Sequence, residues 1–197
     1  MKKVIVTGAS GLLGEEIADV FSESWEVIAL RGRNTLDVTN TREAVLFIKE
    51  KKPDLIIHSA GWRDVDACEK DRDKALLINT LGTRNMAWGA KNAGCPFVQI
   101  SSDSVFDGMA ETPYTEFDRV NPVNVYGYSK LKAEEVVVSL LERYFIFRVP
   151  ILFGSKGKKA DNQIYSVREK INNGEAIYAA TDQVCSPTYT EDIARVL

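Results

Sequence analysis

Residues 3–14 read Lys3-Val4-Ile5-Val6-Thr7-Gly8-Ala9-Ser10-Gly11-Leu12-Leu13-Gly14. A short apolar run runs straight into three glycines spaced GxxGxxG. Beyond them Leu13, Ile17 and Phe21 recur at i, i+4 and i+8 with Val20 beside them, one apolar stripe of a helix that opens near Leu12. Strand, glycine turn and helix in that order open a βαβ unit. Gly8 permits the tight turn, Gly11 lets backbone approach a pyrophosphate, and Gly14 lets helix and strand pack closely while the helix N-terminus faces the negative charge. Ser10, Leu12 and Leu13 complete that loop.

Working outward, apolar runs rich in Val and Ile alternate with segments of helical period, the pattern of a parallel sheet buried on both faces. Strands are expected at 3–7, 26–30, 54–59, 96–101 and 144–149. Helices are expected near 12, at 41–51 ahead of Pro53, at 71–93 ended by Gly94, and at 123–143 after Pro122. The long helix 71–93 places Met86 and Trp88 as packing residues. The fold class is α/β, a Rossmann-type doubly wound parallel sheet occupying 1–150. Past Pro150 the character changes to Gly154, Gly157 and the basic residues Lys156, Lys158 and Lys159, then a helix near 163–173 and a helix start at Thr190. Residues 151–197 read as a partial, apparently truncated substrate lobe.

The 197 residues carry 25 Lys plus Arg against 28 Asp plus Glu. A net charge of −3 lacks the basic excess that nonspecific binding to nucleic acid or anionic lipid requires, so neither is expected as a partner. Cys68, Cys95 and Cys185 form no CxxC pair, and His58 is the single histidine. No metal site and no disulfide framework is expected, which suits a cytoplasmic protein. Glycines and Glu15-Glu16 interrupt any signal-peptide reading of the first residues, and no apolar stretch reaches membrane-spanning length.

Three places carry chemistry. At the end of the second strand, where an acid would bind a ribose 2′-hydroxyl, the chain has Leu30-Arg31-Gly32-Arg33. Arginine suits a 2′-phosphate, so NADP(H) is preferred and NAD(H) possible. Asp37, before Val38, stands within reach of an adenine amino group. Tyr126 and Lys130 are spaced i, i+4 on a helix, where an ammonium beside the phenol would lower its pKa and make it a usable proton donor. Ser101-Ser102-Asp103 lies at the carboxyl end of a strand, the edge where ligands of such sheets sit, so that Ser102 and Asp103 are candidate substrate contacts.

These features, with LDVTN from Leu36, PDLIIHSAGWRDVDACE from Pro53, INTLGTRNMA from Ile78, ISSDSVFDG from Ile100, NPVNVYGYSKLKAEE from Asn121 and DQVCSPTYTEDIA from Asp182, resemble the extended short-chain dehydrogenase/reductases, and within them the dTDP-4-dehydrorhamnose reductase family. The resemblance implies an oxidoreductase of nucleotide-sugar metabolism acting in dTDP-rhamnose biosynthesis. It implies Tyr126 as acid/base, Lys130 orienting the nicotinamide ribose, and Ser102 as the third catalytic residue. Gly11, Leu12, Leu13, Arg31, Asp37, Val38, Ala60, Gly61 and Trp62 fall on cofactor-lining positions, and the two long helices on a homodimer contact. Departures exist: Ser104 replaces an aromatic residue, and Arg148-Val149-Pro150-Ile151 stands where the reductases carry RTSW. RVPILFG resembles instead the regulatory β subunit of methionine adenosyltransferase, which leaves a cofactor-binding regulatory role open, as the shared motifs leave an epimerase or dehydratase. His58, where the family usually has Asn, is expected to be a satisfied polar residue at a strand end. Family members continue beyond the position of Leu197.

Overall fold

A computed structural model describes residues 1–157, 163–178 and 181–197. Strands β1 (Lys3–Thr7), β2 (Glu26–Leu30), β3 (Leu55–His58), β4 (Phe97–Ser102) and β5 (Tyr144–Val149) form one parallel sheet in the order β2-β1-β3-β4-β5. Each crossover carries a helix: α1 (Leu12–Ser22), α2 (Thr41–Lys51), then α3 (Val65–Lys70), α4 (Arg72–Ala75) and α5 (Gly82–Ala93), and finally α6 (Val125–Leu140). The doubly wound sheet expected from the sequence is present, with strand ends within one residue of expectation.

Because side chains alternate along a strand, the register divides the core in two. Ile5, Ile56 and Phe97 lie side by side on one face, under Ala44 and Ile48 of α2, Met86, Ala87 and Ala90 of α5, and Val137 of α6. Val4, Val6, Ile57 and Val98 occupy the other face with Leu13, Ile17 and Phe21 of α1. Fully burying each such side chain contributes about 1.5–3 kcal/mol. The remaining segment forms a two-stranded parallel pair, β6 (Leu152–Phe153) with β7 (Thr188–Tyr189), together with α7 (Gln163–Asn172) and α8 (Thr190–Val196). Through Ile193 and Ala194, α8 joins the α1 side of the core.

Local chemistry sets the boundaries. Asn40 and Asn124 cap α2 and α6 by accepting from the backbone N–H of Glu43 and Gly127. Lys52 and Gly94 end α2 and α5 in the left-handed region, at φ 49° and 65°. The helix expected over 71–93 is interrupted: between α4 and α5, Leu76–Leu81 is wound as a π-helix. Its cause is visible in Asn79, whose side chain is pulled inward to partners on two other elements. Trp88 corrects another expectation. Met86 is fully buried, but Trp88, two residues on and therefore near the opposite side of the helix, is 45% exposed.

Candidate active site

All five strands point their carboxyl ends to one edge, and the site is assembled there. The turn after β1 is held at Gly8 by φ 68°, with no room for a side chain: a Cβ would stand 2.8 Å from Ala60 N and Ser59 O. A Cβ on Gly14 would fall onto the Gly8 carbonyl oxygen. Gly11, the N-cap of α1, has no capping side chain and donates its own N–H to Gly8 O at 2.9 Å. The result is a helix N-terminus flanked by glycine backbone and free of a capping side chain, an end suited to a diphosphate. Ser10 is exposed, Leu12 and Leu13 are buried behind it, and Ala9 is fully buried.

Arg31 leaves the end of β2 half-exposed, 3.4 Å from Ala9 O and 3.8 Å from Glu15. Arg33 is exposed, and its charge helps hold the Asp37 carboxyl below its ordinary range, behind two hydrogen bonds from Thr39. Val38 packs against the α2–α5 side of the core.

From β3 the chain turns through Ala60, Gly61 and Trp62. Thr7 Oγ1 accepts from Ser59 N and Ala60 N, tying this turn to the glycine turn. Asn79, buried, accepts from Trp62 N at 2.6 Å and donates to Trp62 O and to Ser129 Oγ of α6. A Cβ on Gly61 would stand 3.1 Å from Asn79 Oδ1 and 4.0 Å from Lys130 Nζ. The 60–62 turn and Lys130 are therefore close neighbours.

Along α6, Tyr126, Lys130 and Glu134 share one face at i, i+4, i+8. Lys130 is buried and donates to Ile100 O of β4 at 2.6 Å. Desolvation lowers its pKa to about 8, against the opposing pull of Glu134. Glu134, also buried, accepts from Ser101 Oγ at 2.5 Å and from Arg148 of β5 at 2.7 Å. Ser102 Oγ accepts from Ser104 N and contacts Asp103 Oδ1 at 3.1 Å, while Asp103 is exposed.

The expected lowering of the Tyr126 pKa by Lys130 is corrected. Burial pushes the phenol up, a hydrogen bond with Ser102 works against that, and the Lys130 ammonium is engaged by the Ile100 carbonyl instead. Tyr126 and Ser102 are thus brought together, with Lys130 one turn further along α6. His58 is only partly satisfied: Nδ1 meets Thr7 Oγ1 at 2.8 Å, but Nε2 is buried without a partner among the described residues.

Sequence reading missed Asn79, Ser129 and the Ser101–Glu134–Arg148 cluster. Glu134 had a signal, since it continues the Tyr126–Lys130 face by one more i+4 step. Over the N-terminus of α1 lies the loop 154–157, where Gly157 N donates to Glu15 and Lys156 pairs with Asp19 at 2.5 Å. Lys158 and Lys159 of the same basic tract lie outside the described residues.

A glycine-cradled helix N-terminus at β1, a YxxxK pair and a serine on the neighbouring strand end define an extended short-chain dehydrogenase/reductase. The family model described as the RmlD substrate binding domain matches residues 1–197. The chain belongs to the dTDP-4-dehydrorhamnose reductase family. It is similar to a dTDP-4-dehydrorhamnose reductase from Bacillus anthracis, solved in complex with NADP, with TM-score 0.94 and 36% identity over 100% of this chain and 69% of that one. It is 34% identical to the spore coat polysaccharide biosynthesis protein SpsK of Bacillus subtilis, covering 100% of this chain and 69% of the relative. It is 33% identical to the methionine adenosyltransferase 2 subunit beta of Xenopus tropicalis, covering 99% and 60%. The chain spans 60–69% of the length of these relatives.

Proposed function

We propose that this protein is an NADP(H)-dependent oxidoreductase that reduces the 4-keto group of a nucleotide sugar, as its similarity to the Bacillus anthracis dTDP-4-dehydrorhamnose reductase suggests. The observation that carries the reading is the gathering of Ser102, Tyr126 and Lys130 at the sheet edge that also holds the glycine cradle. The turn fits a dinucleotide, because Gly8 and Gly14 let it pack directly on the 59–60 backbone and on itself, where a Cβ would collide, and leave the α1 N-terminus with no capping side chain. Gly8, Ser10, Gly11, Leu12, Leu13 and Gly14 would hold the diphosphate, Arg31 and Arg33 the 2′-phosphate, Asp37 and Val38 the adenine end, and Ala60, Gly61 and Trp62 the nicotinamide side. Bound there, NADPH supplies a hydride.

Tyr126 protonates the carbonyl oxygen, and its raised pKa keeps the phenol protonated and ready to give that proton at neutral pH. Ser102 shares the same oxygen, and Asp103 beside it contacts the sugar. Lys130, anchored on Ile100 O, holds the nicotinamide ribose. We assign residues 1–150 to the dinucleotide-binding domain and 151–197 to the beginning of the substrate lobe. We assign homodimer formation to the surface of α5 and α6, where Trp88 and Val138 are exposed beside a cleft of about 550 Å³ lined also by Arg84, Val136 and Leu140.

The test follows NADPH oxidation with dTDP-4-keto-6-deoxy-L-mannose as substrate. Stoichiometric oxidation supports the reading, whereas tight NADPH binding without oxidation rejects it. The second outcome favours a regulatory subunit, a reading supported by the relation to methionine adenosyltransferase 2 subunit beta and by Val149-Pro150-Ile151 following Arg148.

A further inference from the structure

Under α6, on the sheet face that carries α2 and α5, a row of polar side chains crosses the strands. Thr7, His58 and Gln99 are successive register partners on β1, β3 and β4. All three are at most 1% exposed. Thr7 Oγ1 already accepts two backbone N–H groups, so its own proton goes to His58 Nδ1. That fixes the neutral tautomer with the proton on Nε2, and burial holds the ring neutral.

On the next strand Gln99 donates its amide to Ile100 O, the carbonyl that also anchors Lys130. Two buried polar side-chain atoms remain without partners among the described residues: His58 Nε2 and Gln99 Oε1. One is a donor and the other an acceptor, and they belong to residues paired in register. The two atoms make no direct bond, but one water bridging them leaves neither unsatisfied, where each left alone would carry the full cost of desolvation.

We propose that His58 and Gln99 are positioning residues for Lys130, joined across the β3–β4 register so that a continuous line of hydrogen bonds runs from Thr7 of the glycine turn to the Ile100 carbonyl that holds the lysine. The inference rests on the proposed role of Lys130, but the bonds themselves do not. Displacement of the turn at Thr7, Ser59 and Ala60 is carried by rigid polar contacts to the ammonium. The charged groups facing Lys130 are Glu134 of its own helix, which is paired with Arg148 of β5; the neutral His58 faces it from β3.

Since His58 is the single histidine, selective ¹⁵N labelling reports it alone. The expected spectrum is an Nε2–H tautomer that does not titrate between about pH 5 and 8. An Nδ1–H tautomer or an ordinary titration overturns the proposal. In Gln99→Leu the Nε2–H proton should exchange roughly tenfold faster; unchanged exchange means that Gln99 is not its partner and also overturns it.

The double variant His58→Leu/Gln99→Leu removes donor and acceptor together and leaves only the Thr7 hydroxyl short of its acceptor, so it should lose less stability than the two single variants added. The Lys130 side-chain signal, assigned by its loss in Lys130→Met, should nonetheless titrate lower by about half a pH unit or more, because two polar neighbours are gone. That saving in stability together with the original Lys130 midpoint would make the pair merely structural and reject the proposal. None of these readouts needs a substrate, so their failure is distinct from failure of the reductase assay.

Discussion

At the scale of single residues, Tyr126 and His58 invite opposite experiments. Tyr126→Phe removes one hydroxyl from a half-buried ring whose packing is otherwise kept. Turnover with the keto sugar should fall by about 10²- to 10⁴-fold, the range for a lost general acid, with NADPH affinity measured by fluorescence nearly unchanged. His58 acts on stability. Its pKa is lowered to about 3 by desolvation, with the Lys130 charge adding to the effect. Between about 3 and the ordinary value of about 6.5 the unfolded chain binds a proton that the folded chain refuses. Stability is therefore complete above that window and falls as pH drops through it, with a slope of about 1.4 kcal/mol per pH unit from this residue. Urea unfolding at several pH values should show the slope, and His58→Asn should flatten it.

At the scale of elements, the turn from β1 to α1 is where the amino-acid sequence speaks most directly. Three glycines at fixed spacing dictate which backbone atoms touch, and the structure has Gly14 seated on the Gly8 carbonyl accordingly. Gly14→Ala would force that turn apart and should cost about 1–3 kcal/mol or more, read as a lowered melting temperature together with loss of dinucleotide binding. The proposal for Arg31 at the end of β2 is argued from the same ground: position in a βαβ unit, not residue type alone, gives it meaning. Arg31→Ala should weaken NADPH by about 1.5–3 kcal/mol, one to two decades, and leave NADH nearly unaffected in parallel titrations.

What the sequence hid lies in contacts between elements distant along the chain. The π-turn at Leu76–Leu81 follows from Asn79 reaching Trp62 and Ser129, which helical periodicity cannot reveal. The fate of the Lys130 ammonium was hidden likewise. Spacing puts it on the same helix face as Tyr126, but only the strand beside α6 shows that a carbonyl receives it. Trp88 was misjudged because a large apolar residue on a buried helix suggests core, while its angular position faces outward.

For the whole molecule, the α5–α6 surface is the dimer contact we propose. Trp88 and Val138 leave apolar area in water that a second copy would cover. Sedimentation at micromolar concentration should give a dimer, and Trp88→Glu should shift it to the 21.9 kDa monomer while the NADPH site stays intact. Dimeric Trp88→Glu would place the contact elsewhere.

The strand order has a further consequence, in time rather than in space. β1 is synthesised first and lies between β2 and β3, so its two neighbours follow it directly from the ribosome. Residues 1–60 contain all three of these strands, the glycine turn, and every partner in the bonds of Thr7 with Ser59, Ala60 and His58. Gln99 and Lys130 arrive later. The ribosome thus delivers every residue of the glycine turn and its Thr7 contacts before the helix that carries Tyr126 and Lys130, so the part of the site made of near neighbours in sequence can in principle form before the part made of distant ones.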